Sequence, residues 1–590
     1  LESIGNVSAR DIKAKALHRI LSRRALIPSL VDYFDSSVAA EQIAYDTSFS
    51  EEKFRALYDS QNEYANEAQI NAAKNTLCNG PVSVLQGPPG TGKTSFISKL
   101  IHFLLTQDGA SSILLVGQTH VSVDTVALKT QKLFSSRNEP LSIVRVGNQD
   151  AVSEEMLSAH PLNIQNAWRE KFLREFDYRV NAVTGSLPIS RDAVSILVRL
   201  YLVLNPLYEL ESMKGDEAGE RGDLFDRVNQ ILNNFGFDFV HDADAESVGT
   251  VIKAVAQSRF AIEDPSAIST LIKVLELGSE WIEVLKPGSP SMDRFLLRTR
   301  ELACGTLVGI GKKSHELAAL KFDWVIVDEA ARAKASELAV AMQSGKRILL
   351  VGDQRQLPPL YDQPHLDEIR KQGKEYYRFV ERSDFERAFI QARGVSLTTQ
   401  YRMLKPISDL VSYCFYEPDG LVLNTGRDSG EPWLASLERP LSSIVTWVDT
   451  TPKDAFGETQ NDQGNYTNKT EAGLILASLE KLVLNQEFQN LVKETGAQDR
   501  IVGIISMYRS QVLMLRKLIA HSSVLAQYSH VIKVDTVDSY QGSENRFIFL
   551  SLVRDNPKNV IGFMRHKARI NVAMSRAQDR LLIFGALRMF

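Results

Sequence analysis

The sequence predicts an α/β protein whose strands form parallel sheets, and three observations indicate that fold class. Short runs of consecutive apolar residues recur along the chain, separated by stretches with helical spacing. Strands that are apolar on both faces are typical of parallel sheets covered by helices. A glycine-rich loop follows one apolar strand, and polar clusters follow two others, at the strand ends where open α/β sheets bind ligands. The recurring apolar runs are 113–116, 324–327, 348–351, 501–505, 547–553 and 581–584.

The glycine-rich loop fits the pattern G-x-x-x-x-G-K-[ST] and indicates a nucleoside triphosphate site. Backbone N–H groups of such a loop surround phosphates, and glycine lets the backbone approach them closely. We expect Lys93 to reach the β- and γ-phosphate oxygens and the Thr94 hydroxyl to bind Mg²⁺ where a helix begins. The predicted loop residues are Gly87, Pro88, Pro89, Gly90, Thr91, Gly92, Lys93 and Thr94. The helix should carry an amphipathic face of Phe96, Ile97, Leu100, Ile101 and Leu104.

Composition limits the classes of partner. The 590 residues carry a net charge of −4, so a nucleic-acid groove must be a local feature rather than a global basic field. Three cysteines far apart in sequence argue against a zinc module or a disulfide framework and favour a reducing compartment. No apolar run approaches 18 residues, so we expect no membrane partner and a cytoplasmic or nuclear protein. Because the chain begins with Leu1 rather than Met, we expect it to be part of a longer protein.

The spacing of the motifs predicts a divided first α/β domain. Lys93 and Asp328 lie too far apart for a few βαβ units of about 30 residues each, so an insertion must separate them. Apolar residues at helical spacing predict that this insertion is helical. The expected domains are a helical segment at 1–60, a first α/β domain at 61–150 and 301–392, the insertion at 151–300, and a second α/β domain at 393–590. The polar segment 451–470 predicts an exposed loop.

Two strand ends supply candidate hydrolytic groups. Asp328 and Glu329 end one buried strand, where Asp328 would hold Mg²⁺ and Glu329 would orient and deprotonate the attacking water. Gln356 follows the next strand and could bind the γ-phosphate or that water. These three residues predict ATP hydrolysis at the end of the first sheet.

Two arginines in the C-terminal half are candidate fingers for the transferred phosphoryl group. Arg402 and Arg576 each lie in a polar break between apolar runs. Cations at the transition state carry much of the acceleration of phosphoryl transfer. If both lie on a second α/β domain, the site is complete only when the two domains close.

Seven motifs follow one another in order along the chain: Gln69, the 87–94 loop, 327–330, 352–359, 400–403, 534–544 and 571–577. This ordered set resembles superfamily 1 helicases, and most closely the 1B branch with the up-frameshift and senataxin-like group. This resemblance implies tandem RecA-like P-loop domains and 5′-to-3′ movement on single strands. One departure is Gly117-Gln118-Thr119-His120, where the family commonly shows Ala-Pro-Ser-Asn.

The resemblance also implies individual roles. Gln69 would read adenine, Tyr401 would pack on it, and Glu544 would contact the ribose. Gln356, Arg402 and Arg576 would surround the γ-phosphate. The implied strand-binding residues are Thr119, His120, Val121, Thr306, Gly309, Ser506, Thr536 and Ser539.

The expected function is therefore an ATP-dependent helicase or translocase on single-stranded RNA or DNA. Domain closure would alternate the grip of Thr306 and Thr536 on the strand. Two alternatives use much of the same sequence: an ATPase that remodels protein–nucleic-acid complexes without unwinding a duplex, and a nucleotide-switched scaffold. The choice between RNA and DNA stays open, because it depends on contacts to the 2′-OH.

Overall fold

A computed structural model describes most of the chain. The described residues are 4–47, 49–61, 63–212, 220–237, 247–286, 288, 290–311, 317–361, 371, 383–427, 429–451, 456–461, 465–495, 500–540 and 542–590. Contacts divide the chain into two compact units: residues 1–155 with 300–590, and Met156–Thr299.

The larger unit contains two parallel sheets, one in each of two lobes. The first lobe (63–155 and 300–396) holds, within the described residues, seven parallel strands in the order β5-β6-β4-β7-β8-β3-β9. These strands are β3 (Val82–Gln86), β4 (Ile113–Gly117), β5 (Ile143–Arg145), β6 (Leu302–Thr306), β7 (Phe322–Asp328), β8 (Gly345–Gly352) and β9 (Val395–Ser396), while β1 (Ile43–Ala44) pairs with β2 (Asn79–Gly80). Most of the sheet is buried on both faces, as the continuous apolar runs predict.

Helices cover the first sheet. An N-terminal helix, α1 (Ile4–Leu21), packs on α13 (Ala335–Met342). The helices of these segments are α1 (Ile4–Leu21), α2 (Glu51–Asp59), α3 (Glu67–Cys78), α4 (Lys93–Thr106), α5 (His120–Ser136), α12 (Leu307–Ile310), α13 (Ala335–Met342) and α14 (Asp384–Gln391). The predicted helix after the glycine-rich loop is confirmed as α4, but it is buried all round from Ser95 to Leu104 rather than amphipathic. The second lobe (397–590) holds the other parallel sheet.

That second sheet has, among the described residues, five strands in the order β12-β18-β17-β15-β16. They are β12 (Val445–Asp449), β15 (Val502–Ser506), β16 (Ile532–Thr536), β17 (Asn545–Ser551) and β18 (Ala577–Gly585), with short pairs β10 (Thr399–Gln400) with β11 (Asn424–Thr425) and β13 (Glu458–Gln460) with β14 (Tyr466–Asn468). The helices are α15 (Lys405–Val411), α16 (Lys469–Val483), α17 (Gln486–Glu494), α18 (Arg509–His521), α19 (Val537–Tyr540) and α20 (Lys567–Met574). The two parallel sheets confirm the predicted α/β class with tandem RecA-like lobes.

The unit Met156–Thr299 is helical and has a core of its own. Its helices are α6 (Pro161–Val183), α7 (Arg191–Ser212), α8 (Glu220–Asn234), α9 (Val248–Phe260), α10 (Pro265–Val284) and α11 (Pro290–Thr299). Leu197, Leu204, Ile252 and Leu271 are fully buried within it. The helical spacing of the apolar residues in this segment is therefore the spacing of a packed core.

The prediction of a loop over 451–470 is wrong for its described part. Strands β13 and β14 pair there in an antiparallel hairpin, and α16 begins at Lys469. Glu458 on the hairpin forms an ion pair of 2.9 Å with Arg554, which lies 96 residues further along the chain. The amino-acid composition of the segment 451–470 does not predict this long-range contact. Separately, none of the helices in the described part of the chain has the length and apolar character needed to cross a bilayer.

Candidate nucleotide-binding site

The glycine-rich loop curls back on itself between β3 and α4. Lys93 Nζ donates to the carbonyl of Gly87 at 2.6 Å, and Thr91 Oγ1 donates to that of Pro88 at 2.8 Å. Gly90 and Gly92 have φ values of +76° and +79°, in the left-handed region that glycine adopts without strain. The loop therefore ends at the N-terminus of α4, where free backbone N–H groups attract anions.

Asp328 lies at the carboxyl end of β7, in register with Gly117 at the end of β4. Ser122 Oγ donates to Asp328 Oδ2 at 2.6 Å, whereas the buried Oδ1 has no partner within the described residues. Burial and the adjacent charge of Glu329 raise the pKa of Asp328. A buried carboxylate oxygen without a partner is costly unless a cation binds it, so this residue fits a Mg²⁺ ligand.

A cleft of about 330 Å³ brings the predicted hydrolytic residues together from both lobes. The first lobe contributes most of the glycine-rich loop, including Lys93 and Thr94, together with Glu329 and Gln356. Glu329 has a φ of +54°, a conformation that is strained for a residue other than glycine. The second-lobe residues are Tyr401, Arg402, Gly542, Glu544 and Arg576.

The two arginines of the second lobe are held differently. Arg576 is 3% exposed and donates to Gln356 Oε1 at 3.2 Å and to the carbonyl of Val572 at 3.0 Å. Burial, followed by the charge of Arg402, lowers the pKa of Arg576 to about 9. Arg402 pairs with Glu544 and donates to the carbonyl of Ser575 at 3.1 Å.

The two lobes come into direct backbone contact at Gly90. Tyr401 donates its backbone N–H to the carbonyl of Gly90 at 2.9 Å. A Cβ atom at Gly90 would lie 2.6 Å from the Cβ of Arg402, so only glycine permits this approach. Asn66 Nδ2 also donates to the hydroxyl of Tyr401, at 3.1 Å.

Gln69 lies beside the loop rather than among the residues of the cleft wall. It forms a capping box with Asn66 at the start of α3, and its Nε2 lies 3.5 Å from the carbonyl of Thr91. Glu544, the residue implied for the ribose, accepts from Gln578 Nε2 at 2.9 Å as well as pairing with Arg402.

Lys129 and Ser95 also line the cleft, and the sequence reasoning missed both. Lys129 Nζ lies 3.1 Å from Glu63 Oε1, and Ser95 Oγ donates to Glu63 Oε2 at 2.5 Å. Lys129 reaches the cleft from the middle of α5, a helix whose pattern in sequence is that of an ordinary packed helix. Ser95 directly follows the loop motif, and that adjacency was the only available signal.

The strand-binding candidates of the first lobe lie at one end of the sheet. Gly117 at the end of β4 is in register with Thr306 at the end of β6. Thr119 caps α5, Val121 is 73% exposed, and Thr306 caps α12 by accepting from the N–H of Gly309 at 3.0 Å. His120 Nδ1 lies 3.1 Å from Arg145 Nη2, and burial together with the charge of Arg145 lowers the pKa of His120.

Of the strand-binding candidates in the second lobe, some lie at the surface and one lies in the interior. Thr536 Oγ1 donates to Ser539 Oγ at 3.3 Å at the end of β16, and Ser539 is exposed. Ser506 is in register with Thr536 but fully buried. Its hydroxyl donates to the carbonyl of Ser551 at 3.2 Å and accepts from the N–H of Tyr508. Ser539 is therefore open to solvent and Thr536 partly so, whereas the hydroxyl of Ser506 is bonded inside the lobe.

The tandem lobes and the shared cleft define a P-loop protein of the ATPase class. Two family models, each described as an AAA domain, match residues 64–363 and 380–588. Helicase sen1 of Schizosaccharomyces pombe is 26% identical over 550 residues, covering 88% of this chain and 29% of that protein. Regulator of nonsense transcripts 1 of Dictyostelium discoideum is 25% identical over 532 residues, covering 88% of this chain and 30% of that protein.

The chain belongs to this AAA-domain family and, within it, to the up-frameshift and senataxin-like group of superfamily 1B helicases. DNA polymerase alpha-associated DNA helicase A of Saccharomyces cerevisiae is 24% identical and is covered over 66% of its length. A solved structure of the PRRSV helicase matches 88% of this chain and 54% of its own, at 11% identity and a TM-score of 0.31. The chain spans less than a third of the length of the sen1 and nonsense-transcript relatives.

Proposed function

We propose that this protein is an ATP-dependent helicase or translocase that moves 5′ to 3′ along single-stranded nucleic acid. One observation carries the proposal: a single cleft joins the phosphate loop, Glu329 and Gln356 of the first lobe to Arg402 and Arg576 of the second. A protein that only binds a nucleotide does not need this complete set of hydrolytic groups. The membership of a helicase family supports the same reaction class.

In the proposed reaction each lobe has a separate task. The loop and Lys93 bind the triphosphate, with Gln69 and Tyr401 at the adenine and Glu544 at the ribose. Glu329 accepts a proton from the attacking water, while Gln356 orients that water or the γ-phosphate. Arg402 and Arg576 stabilise the charge that develops on the transferred phosphoryl group.

Mg²⁺ would be held by the Thr94 hydroxyl and Asp328, and it would neutralise charge on the phosphate oxygens. The unpartnered Oδ1 of Asp328 supports this assignment. Binding of a cation there would also favour the ionised form of a carboxyl whose pKa burial raises.

For the strand, we propose that the lobes grip alternately through Thr306 and Thr536. Both residues lie at carboxyl ends of parallel strands, and hydroxyls there suit contacts to phosphate and sugar that carry no sequence information. Closure of the cleft by ATP would shift one grip relative to the other. The names of the relatives include a DNA helicase and a regulator of nonsense transcripts, so both DNA and RNA need testing.

We further propose four domains, at 1–60, at 61–150 with 301–392, at 151–300 and at 393–590, in a cytoplasmic or nuclear protein. The division of the chain at Met156 and Thr299 supports the boundaries of the helical domain.

The test is ATP hydrolysis measured with matched poly-U and poly-dT strands over a range of salt concentrations. Stimulation by either strand is expected, and Lys93→Ala should lower the stimulated rate by about 100-fold or more while leaving strand binding within about twofold. Lys74→Ala, at an exposed position on α3, is the matched control. Hydrolysis that no strand changes would contradict the proposal and favour a nucleotide-switched scaffold.

A second assay separates unwinding from translocation alone. A labelled duplex with a 5′ overhang should be opened by a helicase and left paired by a translocase that only displaces bound proteins. A matching 3′ overhang tests the direction, because a 5′-to-3′ motor loads only on the 5′ overhang.

A further inference from the structure

A buried chain of hydrogen bonds crosses between the lobes beside the cleft. Its first-lobe member is Asp353, in the turn after β8, which accepts from Gln356 Nε2 at 2.8 Å and from Gln86 Nε2 at 3.3 Å. Its second-lobe member is Tyr416, whose hydroxyl donates to Asp353 Oδ2 at 2.7 Å. The same carboxylate thus binds both the hydrolytic Gln356 and a tyrosine of the opposite lobe.

The series of hydrogen bonds continues from Tyr416 to the helix that precedes Arg576. Asn571, on α20, donates from Nδ2 to the hydroxyl of Tyr416 at 3.0 Å and to the carbonyl of Arg355 at 2.7 Å. Arg576 follows the end of α20 by two residues and donates to Gln356. These hydrogen bonds, together with the stretch of backbone from Asn571 to Arg576, form a closed path through Asp353, Tyr416 and Gln356.

We propose that Tyr416 and Asn571 are positioning residues that set the distance between Arg576 and the first lobe when the cleft closes. We call Asp353, Tyr416 and Asn571 the inter-lobe relay. Neither Tyr416 nor Asn571 lines the cleft, so both act through Arg576 and Gln356 rather than on the nucleotide. This positioning role rests on the proposed ATP hydrolysis.

The chemistry of tyrosine suits this task. Its hydroxyl donates to Asp353 and accepts from Asn571 at the same time, which phenylalanine of nearly the same shape does not do. Burial raises the pKa of Tyr416 well above its ordinary value, so the hydroxyl stays protonated and remains a donor. Tyr416 and Asn571 are both fully buried, so water does not replace a hydrogen bond that is lost between them.

The experiment compares Tyr416→Phe with Tyr413→Phe. Tyr413 lies three residues earlier in the same helical turn and is 71% exposed, so it controls for loss of a hydroxyl. We expect Tyr416→Phe to lower the strand-stimulated kcat about tenfold, with the KM for ATP within about twofold of wild type. Asn571→Ala should have a similar effect, and the double variant should be no slower than the worse single variant because both break one relay.

Kinetics of Tyr416→Phe equal to those of Tyr413→Phe would overturn the inference, as would a raised KM with unchanged kcat or losses that multiply in the double variant. Amide hydrogen exchange gives a readout that needs no activity. The relay predicts faster exchange at both 353–356 and 567–574 in Tyr416→Phe or Asn571→Ala, and unchanged exchange at either segment would contradict it. Absence of stimulated hydrolysis in wild type would instead refute the proposed function, and the exchange data would still decide the relay.

Discussion

The two lobes meet the cleft with opposite ends of their parallel sheets. In the first lobe the phosphate loop follows β3 and Asp328 ends β7, so the carboxyl ends of strands face the nucleotide site. In the second lobe Glu544 directly precedes β17 and Arg576 directly precedes β18, so the amino ends do. The same architecture thus contributes different chemistry to each wall of one site.

This difference explains why one lobe can hold phosphates and the other can only complete the site. Loops at the carboxyl ends of strands lead into helix N-termini, whose N–H groups bind anions. Segments entering a strand offer side chains instead, here the guanidinium of Arg576 and the carboxylate of Glu544. The carboxyl ends of the second sheet, where Thr536 and Ser539 lie, are the proposed contact with the nucleic-acid strand.

Of the changes that test this difference between the lobes, removal of Arg576 should have the largest effect on turnover. Arg576→Ala should lower the stimulated kcat by about 1,000-fold or more while ATP still binds to the cradle of the first lobe. Equilibrium binding of a fluorescent ATP analogue, measured beside turnover, separates the two effects. Arg565→Ala is the control, since Arg565 is exposed and outside the cleft. Equal loss of ATP binding and turnover would contradict the claim that the first lobe binds the nucleotide and the second lobe serves hydrolysis.

The strand ends of the second lobe should show a smaller contrast. Thr536→Ala should weaken binding of a single-stranded oligonucleotide by about 3- to 10-fold, since one hydroxyl contact is lost. Ser506→Ala should change binding less than twofold and lower thermal stability instead, because its hydroxyl is bonded inside the lobe. Fluorescence anisotropy and thermal unfolding of both variants measure this. Weaker binding in Ser506→Ala alone would reverse the assignment.

The smallest expected effect is a difference in how pH acts on the two lobes. Burial raises the pKa of Glu471 in the second lobe to about 8. The hydrogen bonds that Glu471 accepts from Ser551 and Val553 lower its pKa, but burial outweighs them. A carboxyl with a raised folded pKa binds more protons in the folded state, so its contribution is present below pH 4.5 and is lost as pH rises toward 8. Glu471→Gln should therefore flatten the fall in Tm between pH 6 and 8.5 by several degrees, or about 2–3 kcal/mol.

Glu337 of the first lobe has a pKa shift of the opposite direction. Burial raises its pKa, but the hydrogen bond and charge of Lys13, together with the hydrogen bonds from Lys334 and Gln118, lower it overall. Its contribution to stability is present above its ordinary pKa and is lost as pH falls below that value, so Glu337→Gln should leave the Tm profile between pH 6 and 8.5 unchanged in slope. Parallel slopes for wild type and Glu471→Gln would show that Glu471 ionises normally.

The sequence predicted the parts of the molecule that depend on local pattern. Apolar runs predicted β4, β7 and β8 because these central strands are buried on both faces. It did not predict β5, which has three residues, or β6, which includes Gly305 and Thr306, because neighbouring strands stabilise them. Motifs predicted Asp328, Glu329 and Gln356 in the same way, since each lies at or just after the end of an apolar strand, whereas Arg576 precedes a strand.

The remaining features depend on contacts between distant segments. The bond between Tyr416 and Asp353 joins residues 63 positions apart, and the approach of Arg402 to Gly90 joins residues on different lobes. Ser506 resembles Thr536 in sequence, since each follows a strand, yet only the packing of β15 between β16 and β17 buries it. No linear pattern reports these arrangements, because they are set by tertiary packing.

The most direct test is a crystal structure of the protein with Mg²⁺ and a non-hydrolysable ATP analogue. We expect one triphosphate on the 87–94 loop, with the guanidinium groups of Arg402 and Arg576 within about 2.7–3.2 Å of γ-phosphate oxygens. A bound analogue toward which neither arginine points would contradict the claim that the two lobes share a single site.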